Sequence, residues 1–311
     1  MSALVVLAGP TGAGKSALAV ALARLVGGEI VGADSQQLYR ALDVGTAKPT
    51  PAERAAVPHH LVDVAEPGEG MDAARYAVLA DAAIAGIVAR GALPLVVGGT
   101  GLYLRALLHG VVEAPGRDPA LRERLEAEAV RLGRPALHAR LVAIDPAAAA
   151  RIRENDLVRV IRALEIAAGG TLPSALHAAH AFREERHRAL HLALAPERAV
   201  LHARLAAIDP AAAARILEEA RALTERLGWP LPPKLPIGYA EAAAVVRGAL
   251  PLADAIRQVQ ASHRRYAKRQ LTWLRGEPGV HWLSPPVDVE ALARRVIGWC
   301  AGESYGADVV L

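Results

Sequence analysis

The residues best suited to chemistry lie near the amino end, in a glycine-rich segment that ends in a lysine and a serine. Residues 9–16 read GPTGAGKS and match the pattern G-x-x-x-x-G-K-S. In such a loop, backbone N–H groups turn inward around a phosphate, and a helix N-terminus completes the cradle. Lys15 would add a positive charge, and the Ser16 hydroxyl could hold Mg²⁺ between phosphates. The predicted phosphate-binding residues are Gly9, Pro10, Thr11, Gly12, Ala13, Gly14, Lys15 and Ser16.

Two further polar segments follow predicted strands. Asp34 follows the strand at 29–33, and Thr100 lies in a glycine-rich segment after the strand at 93–97. The Asp34 carboxylate could accept a proton or bind Mg²⁺ through water. The Thr100 hydroxyl could bind a phosphate or a leaving oxygen. Both segments also have purely structural interpretations, because Asp often caps a helix and glycines often form tight turns.

A basic helix is predicted near the carboxyl end, where residues 263–275 read HRRYAKRQLTWLR. Cations four residues apart share one helix face: Arg264 with Lys268, and Arg265 with Arg269. A polyanion such as RNA would relieve their mutual repulsion, and Trp273 and Tyr266 could add stacking. The alternative is a solvated basic face. Arg159 and Arg162 form a smaller basic stripe.

Strands and helices alternate over the first 110 residues, which predicts a parallel sheet with helices on both sides. Ligands of such sheets bind beyond the carboxyl ends of the strands, where residues 9–16, 34–37 and 98–101 would meet. Residues 118–188 show helical spacing without a convincing strand, which predicts a helical insertion. The predicted strands are 4–8, 29–33, 60–64, 93–97 and 191–195. A helix is predicted at 76–89, and the chain after residue 195 is predicted to be helical, ending in a long helix at 252–275.

The composition excludes several classes of protein. The chain has 311 residues, 53% of them hydrophobic, which is enough for one large or two ordinary domains. Its single cysteine, Cys300, excludes a disulfide framework and a cysteine zinc site. No apolar run is long enough for a membrane span, and the amino end does not resemble a signal peptide, so we expect a cytoplasmic protein without a membrane partner. The net charge of +4 hints only weakly at a polyanionic partner.

One segment of the chain occurs twice. Residues 137–152 read LHARLVAIDPAAAARI, and residues 201–216 repeat them with Val142 replaced by Ala206. Nothing else repeats, so a solenoid is excluded.

Taken together, the motifs resemble the tRNA dimethylallyltransferases, also called tRNA isopentenyltransferases. The resemblance rests on eight motifs that occur in the family's order and span nearly the whole chain: GPTGAGKS, DSQQLY, DVGTAKP, PHHLVD, LVVGGTGLY, NDLVRVIRALE, IGYAE and YAKRQLTWLRG. It implies an α/β fold, with a P-loop NTPase-like parallel sheet flanked by helices and an all-helical insertion. The implied domains are a catalytic core at 1–114 and 190–311 and a tRNA-contacting insertion at 115–189.

The resemblance also implies a reaction and its partners. The family transfers a dimethylallyl group from dimethylallyl diphosphate to N6 of the adenine 3′ to the anticodon. Asp34 would be the general base, Thr100 and the phosphate-binding residues would stabilise the leaving diphosphate, and Mg²⁺ would be the cofactor, held by Ser16. A monomer acting on the tRNA anticodon stem-loop is expected. The implied tRNA-binding residues are Asp34, Ser35, Gln36, Gln37, Thr100, Val158, Arg159, Arg162, Gly238, Tyr239, Lys268, Arg269, Gln270, Thr272, Trp273 and Arg275.

Two positions depart from the family pattern. Family members usually carry a helix R-x-x-x-M-x-x-G whose arginine lies near the diphosphate, and that arginine aligns with Ile208. Arg204 or Arg215 could compensate for its absence. His263 stands where a threonine is usual.

Three alternatives remain open at this point. A P-loop kinase of a small metabolite would also need the phosphate-binding residues, but not the basic helix. A prenyltransferase acting on free adenine nucleotides would lack the helical insertion. A tRNA-binding protein with impaired catalysis would fit the change at position 208.

Overall fold

The computed structural model describes residues 3–112, 114–116, 118–180, 184–207, 209–232 and 235–306. The chain divides into two compact units. The first joins Met1–Leu108 to Glu185–Leu311 and contains the sheet, and the second is His109–Glu184. The helical unit therefore begins six residues before, and ends five residues before, the predicted boundaries at 115 and 189. We refer to the two as the core unit and the helical unit.

The core unit is built on a six-stranded parallel sheet in the order β3-β2-β4-β1-β5-β6. The strands are β1 Ala3–Ala8, β2 Gly28–Ala33, β3 His59–His60, β4 Leu93–Gly98, β5 Arg188–Leu194 and β6 Val280–Leu283. The central strand β1 is almost completely buried, as expected for a parallel sheet covered on both faces. The predicted α/β fold is thus confirmed.

Helices cover the sheet and form the helical unit. They are α1 Lys15–Val26, α2 Pro51–Ala56, α3 Ala73–Ala89, α4 Gly101–His109, α5 Pro119–Leu132, α6 Arg134–Ile144, α7 Pro146–Ala149, α8 Leu157–Ala168, α9 Pro173–His180, α10 Arg198–Ala206, α11 Pro210–Leu227, α12 Tyr239–Val246, α13 Leu252–Arg275 and α14 Val289–Cys300. Among these, α13 has the bounds that the sequence predicts. None of the described helices combines the length and the apolar character that a membrane crossing requires.

The helical unit has its own interior. Leucines from three of its helices, Leu125, Leu141 and Leu164, belong to one buried apolar cluster. Beside it, the Arg122 guanidinium donates two hydrogen bonds to the Glu165 carboxylate, at 2.8 and 2.6 Å. A buried carboxylate needs such a partner, because desolvation without one is costly. This unit can therefore bury its apolar faces against one another.

The structure differs from the predicted elements at two edges of the sheet. The strand predicted at 60–64 ends at His60, because Leu61 and Asp63 both adopt positive φ angles of 59° and leave the extended conformation. The prediction that the chain after residue 195 is helical is wrong at β6, which pairs with β5. With only four residues, β6 is too short to show a clear alternating pattern.

Candidate active site

The phosphate loop, residues 9–16, connects β1 to α1. Gly14 has a φ of 91°, a left-handed conformation that suits glycine, and it leads directly into the first turn of α1. The Ala13 N–H donates to the Pro10 carbonyl at 3.2 Å and closes a turn within the loop. The Lys15 ammonium donates to the same carbonyl at 2.8 Å. No side chain caps the N-terminus of α1, so its backbone N–H groups can serve an anion.

Asp34 and the phosphate loop line one cavity of about 250 Å³. Thr11, Gly12, Gly14, Lys15 and Ser16 form one part of its wall, and Asp34 follows β2 on another. Burial raises the pKa of Asp34, although the N–H of Gln36 at 2.9 Å and the charge of Lys15 oppose this effect. Burial lowers the pKa of Lys15 to about 8, against the attraction of Asp34. An acid–base group and a cation thus face the same space.

Thr100 connects the ends of β2 and β4. Its hydroxyl accepts the N–H of Ser35 at 2.9 Å and donates to the Ser35 hydroxyl at 3.2 Å, while its own N–H donates to Ala33 O at 3.2 Å. The Tyr266 phenol lies beside the side chains of Thr100 and Ser35, and its interaction with them opposes the rise in its pKa that burial causes. The segments carrying Asp34 and Thr100 are therefore held together, beside the cavity.

Helix α13 packs one face against these loops, and we call Tyr266, Gln270 and Trp273 its inner face. Gln270 is only 4% exposed. Its amide oxygen accepts the Thr11 N–H at 2.8 Å, and its amide nitrogen donates to Gly99 O at 3.0 Å. Trp273 packs so closely on Gly101 that a Cβ there would lie 2.3 Å from a ring atom. The predicted contact of Gln270 with RNA does not fit this buried position, which instead suits support of the phosphate loop.

The opposite side of α13 is exposed, and we call it the outer face. It carries Arg264, Arg265, Lys268, Arg269, Thr272 and Arg275. Four of these residues are among the predicted RNA contacts, and their side chains are free to approach a large anion. Their role remains a prediction.

Three other predicted RNA contacts support a neighbouring loop. The Gln37 amide donates to the carbonyls of Thr46 and Ala47, at 3.2 and 2.9 Å. Tyr239 is fully buried, and its hydroxyl accepts the Gly45 N–H at 3.2 Å and donates to Glu219. Gln36 accepts the N–H of Ile237, next to Gly238, at 3.3 Å. The burial of Tyr239 favours a supporting role over a direct contact with RNA.

In the helical unit, the predicted RNA contacts lie at the start of α8. Val158 is 71% exposed, and the Arg159 side chain is 73% exposed. Arg162 is engaged inside the unit, because it donates to Pro115 O at 2.8 Å and lies 3.6 Å from the Glu165 carboxylate. Val158 and Arg159 therefore fit a contact surface better than Arg162 does.

The structure also identifies a cation beside the phosphate loop. The Arg204 guanidinium lies 3.4 Å from the carbonyl oxygens of Gly12 and Ala13. Ile208, where the family arginine aligns, lies outside the described residues. Arg215 lines a different cavity, together with Lys48 and Glu219. Of the two arginines proposed to compensate, Arg204 is therefore the one at the loop.

Sequence reasoning assigned Tyr266 to stacking on RNA rather than to a position beside Thr100 and Ser35, and it assigned no role to Glu219. Tyr266 precedes Gln270 by four residues, so a helical period could have placed both on one face. The role of Glu219 depends on a loop about 175 residues earlier in the chain, whose Val44 N–H it accepts at 2.9 Å, and no local pattern indicates that contact.

Comparison with known proteins agrees with this geometry. The profile of the family described as IPP transferase matches residues 37–277. The chain is 72% identical over 297 residues to the tRNA dimethylallyltransferase of Anaeromyxobacter sp. strain Fw109-5, covering 95% of this chain and 99% of that protein. It is 71% identical over 295 residues to the enzyme of the same name from Anaeromyxobacter sp. strain K, covering 94% and 97%.

A solved structure is also similar over nearly the whole chain. The tRNA isopentenylpyrophosphate transferase of Bacillus halodurans has a TM-score of 0.68 and 36% sequence identity, covering 97% of this chain and 96% of that one. Because the family profile and these relatives extend over most of its length, the chain belongs to the IPP transferase family.

Proposed function

We propose that this protein transfers a dimethylallyl group from dimethylallyl diphosphate to N6 of the adenine 3′ to the anticodon in tRNA. The observation that carries the proposal is the shared cavity, in which the phosphate loop and Lys15 face Asp34. A reaction that releases a diphosphate and takes a proton from an amine needs both kinds of group in one place. The names of the relatives give the same reaction class.

The phosphate loop would bind the diphosphate of the donor. Its backbone N–H groups, the N-terminus of α1 and the Lys15 ammonium provide fixed positive charge where the leaving group develops negative charge. Arg204 lies within reach of the same loop and would contribute a further cation. Thr100 would stabilise the departing oxygen through its hydroxyl.

The residues present fit a Mg²⁺ ion bound partly by the donor. Ser16 is exposed and follows Lys15 on the cavity wall, so its hydroxyl oxygen can act as one ligand beside the diphosphate oxygens. Among the described residues, no group of three His, Cys, Asp or Glu side chains could hold a metal without such a partner. When bound, Mg²⁺ would neutralise charge on the diphosphate.

Asp34 would act on the amine. The adenine amine is a weak nucleophile, because its lone pair is conjugated with the ring, but the allylic carbon gains cationic character as its bond to oxygen breaks. The N–C bond forms as the C–O bond breaks, diphosphate leaves, and the amine proton passes to the Asp34 carboxylate. The raised pKa of Asp34 makes this carboxylate a better proton acceptor.

The adenine must leave its stack to reach the cavity, as other base-modifying enzymes require. The outer face of α13 and the exposed residues Val158 and Arg159 would hold the anticodon stem-loop, largely through phosphate contacts. Every group named in the chemical step belongs to one chain, so a monomer is sufficient. A tRNA substrate also places the proposed reaction in the cytoplasm.

The direct test is incubation of the full chain with labelled dimethylallyl diphosphate, Mg²⁺ and unmodified tRNA. Mass spectrometry of the digested RNA should detect prenylated adenosine next to the anticodon. A parallel reaction with ATP in place of the prenyl donor tests for a kinase. Phosphoryl transfer from ATP to a metabolite without prenylation, or tRNA binding without turnover, would contradict the proposal.

A further inference from the structure

We propose that Gln270 is a positioning residue that holds the phosphate loop and the Thr100 segment in register, rather than a contact to RNA. The proposal refines the proposed function, but its first test needs only the phosphate loop and inorganic diphosphate. Gln270 is separated from Thr11 by 259 residues and from Gly99 by 171 residues. Its one side chain therefore joins two segments that are far apart in the sequence and that follow the adjacent strands β1 and β4.

The two hydrogen bonds use both ends of the amide. The oxygen accepts from Thr11 N, inside the phosphate loop, and the nitrogen donates to Gly99 O, one residue before Thr100. Because the side chain is 4% exposed, water cannot readily replace either bond. The Thr11 N–H is thus fixed from outside the cavity, which sets the orientation of the loop around its anion.

The close fit of the backbone supports this role. A Cβ on Gly99 would lie 2.1 Å from the Gln270 amide nitrogen and 2.7 Å from the Gly9 carbonyl oxygen. A side chain at position 99 would therefore push the helix away from both loops. One turn earlier on the same face, the Tyr266 phenol lies beside the side chains of Thr100 and Ser35. The inner face of α13 thus contacts all three segments that surround the cavity.

Two substitutions separate the parts of this role. Gln270→Leu removes both hydrogen bonds and leaves the Thr11 N–H and the Gly99 carbonyl without their partner. Gln270→Glu keeps an acceptor for Thr11 but places a carboxylate oxygen against the Gly99 carbonyl. Lys268→Gln, two residues earlier on the outer face, is the matched control because it removes an exposed charge, whereas the Arg269 guanidinium lies 5.5 Å from the centroid of the Tyr266 ring on the inner face.

The first measurement is calorimetric binding of inorganic diphosphate, with Mg²⁺ and without RNA. We expect Gln270→Leu to weaken this binding at least about tenfold, and Gln270→Glu to weaken it as well, since the loop loses its preorganised geometry. Lys268→Gln should leave the affinity for diphosphate unchanged. Circular dichroism and thermal unfolding check that each variant is folded; if Gln270→Leu does not fold, Gln270→Glu decides the question.

The second measurement is the affinity for unmodified tRNA and the separate values of kcat and KM. We expect the Gln270 variants to raise KM for the prenyl donor and lower kcat, with tRNA affinity within a few-fold of the parent. Unchanged diphosphate binding in the Gln270 variants, or a loss of tRNA affinity as large as that of Lys268→Gln, would overturn the proposal. If the parent binds diphosphate but transfers no prenyl group, the proposed function fails while the role of Gln270 can still be measured.

Discussion

At the scale of single residues, burial in one cavity shifts the pKa values of two ionisable groups in opposite directions. Burial raises the pKa of Asp34 and lowers that of Lys15 to about 8, because low polarity disfavours both charges. Each group also opposes the shift of the other by attraction. Ionisable groups whose pKa values are strongly shifted are typical of functional sites when they lie in a cavity. The pair therefore leads to two predictions.

Removal of the carboxylate should stop the chemical step without affecting RNA binding. We expect Asp34→Ala to lower kcat by a factor on the order of 10²–10⁴, the usual contribution of a general base. Asp34→Asn, which preserves the shape of the side chain, should be as slow. Affinity for tRNA should stay within a few-fold of the parent. Unchanged turnover in either variant would remove Asp34 from the mechanism.

The pH profile should have two limbs. The rate should fall at low pH as Asp34 becomes protonated, and this limb should lie above the ordinary range of Asp because burial raises its pKa. In kcat/KM for the prenyl donor, the rate should also fall above a pH of about 8, as Lys15 loses its proton. A bound diphosphate raises the pKa of Lys15, so the high-pH limb of kcat should move upward. Identical high-pH limbs in kcat and kcat/KM would contradict this role of Lys15.

The parts of the site differ in how well the sequence predicts them. Gly12, Gly14 and Lys15 act within one short loop, so their spacing alone predicts their chemistry. Asp34 could be placed because parallel strands bring their carboxyl ends to one edge. Gln270 and Tyr239 could not be assigned in this way, since their partners lie far away in the chain and their burial depends on tertiary packing.

At the scale of elements, the repeated segment shows how context sets the length of a helix. In both copies an Asp-Pro pair starts a new helix, with Asp145 and Asp209 accepting backbone N–H groups at 2.9 and 3.0 Å. The first copy continues into α7, which has 4 residues, and the second into α11, which has 18. After the first copy, residues 153–156 read REND, and Asp156 caps the next helix. After the second copy, residues 217–220 read LEEA, which favours continuation of the helix.

Helix α13 should bind RNA through its outer face. We expect Arg269→Ala to weaken tRNA binding and to reduce the slope of log affinity against log salt by roughly one unit, because one phosphate contact is lost. Arg294→Ala, an exposed arginine on α14, provides a control of equal charge. Titrations over a range of salt concentrations measure both slopes. The same slope in both variants would mean that this face of α13 does not bind RNA.

The predicted elements agree best with the structure where a pattern is long. The 24 residues of α13 show a sustained helical period, and their bounds agree with the prediction. At the sheet edges, β3 and β6 contain only two and four residues, and their pairing with neighbouring strands defines them more than their own composition does. Short edge elements of this kind depend on the rest of the fold.

At the scale of the whole molecule, the chain contains two units with separate interiors. The contacts that form the phosphate site, among the residues described, all belong to the core unit. The Arg122–Glu165 pair belongs to the helical unit, where the Glu165 side chain is 1% exposed. Damage to one interior should therefore have a different effect from damage to the other.

We expect Glu165→Ala to destabilise the helical unit by about 1.5–3 kcal/mol, because it leaves the partly buried Arg122 guanidinium without its charged hydrogen-bond partner. Glu128→Ala, which breaks the more exposed pair with Arg140, should cost less than about 1 kcal/mol. Limited proteolysis should cut Glu165→Ala within 109–184, while calorimetry finds its affinity for inorganic diphosphate unchanged. Equal loss of diphosphate affinity would show that the two interiors are not independent.

The two faces of α13 have a thermodynamic consequence. The helix contacts the phosphate loop and the Thr100 segment on one side and carries its exposed cations on the other. A ligand that shifts the helix therefore changes the binding site for diphosphate and the proposed binding surface for RNA together. Linkage requires the effect to be mutual. If bound RNA raises the affinity for diphosphate by some factor, bound diphosphate raises the affinity for RNA by the same factor. Where that factor exceeds one, the departure of diphosphate would weaken the binding of the modified RNA by the same factor and so favour its release.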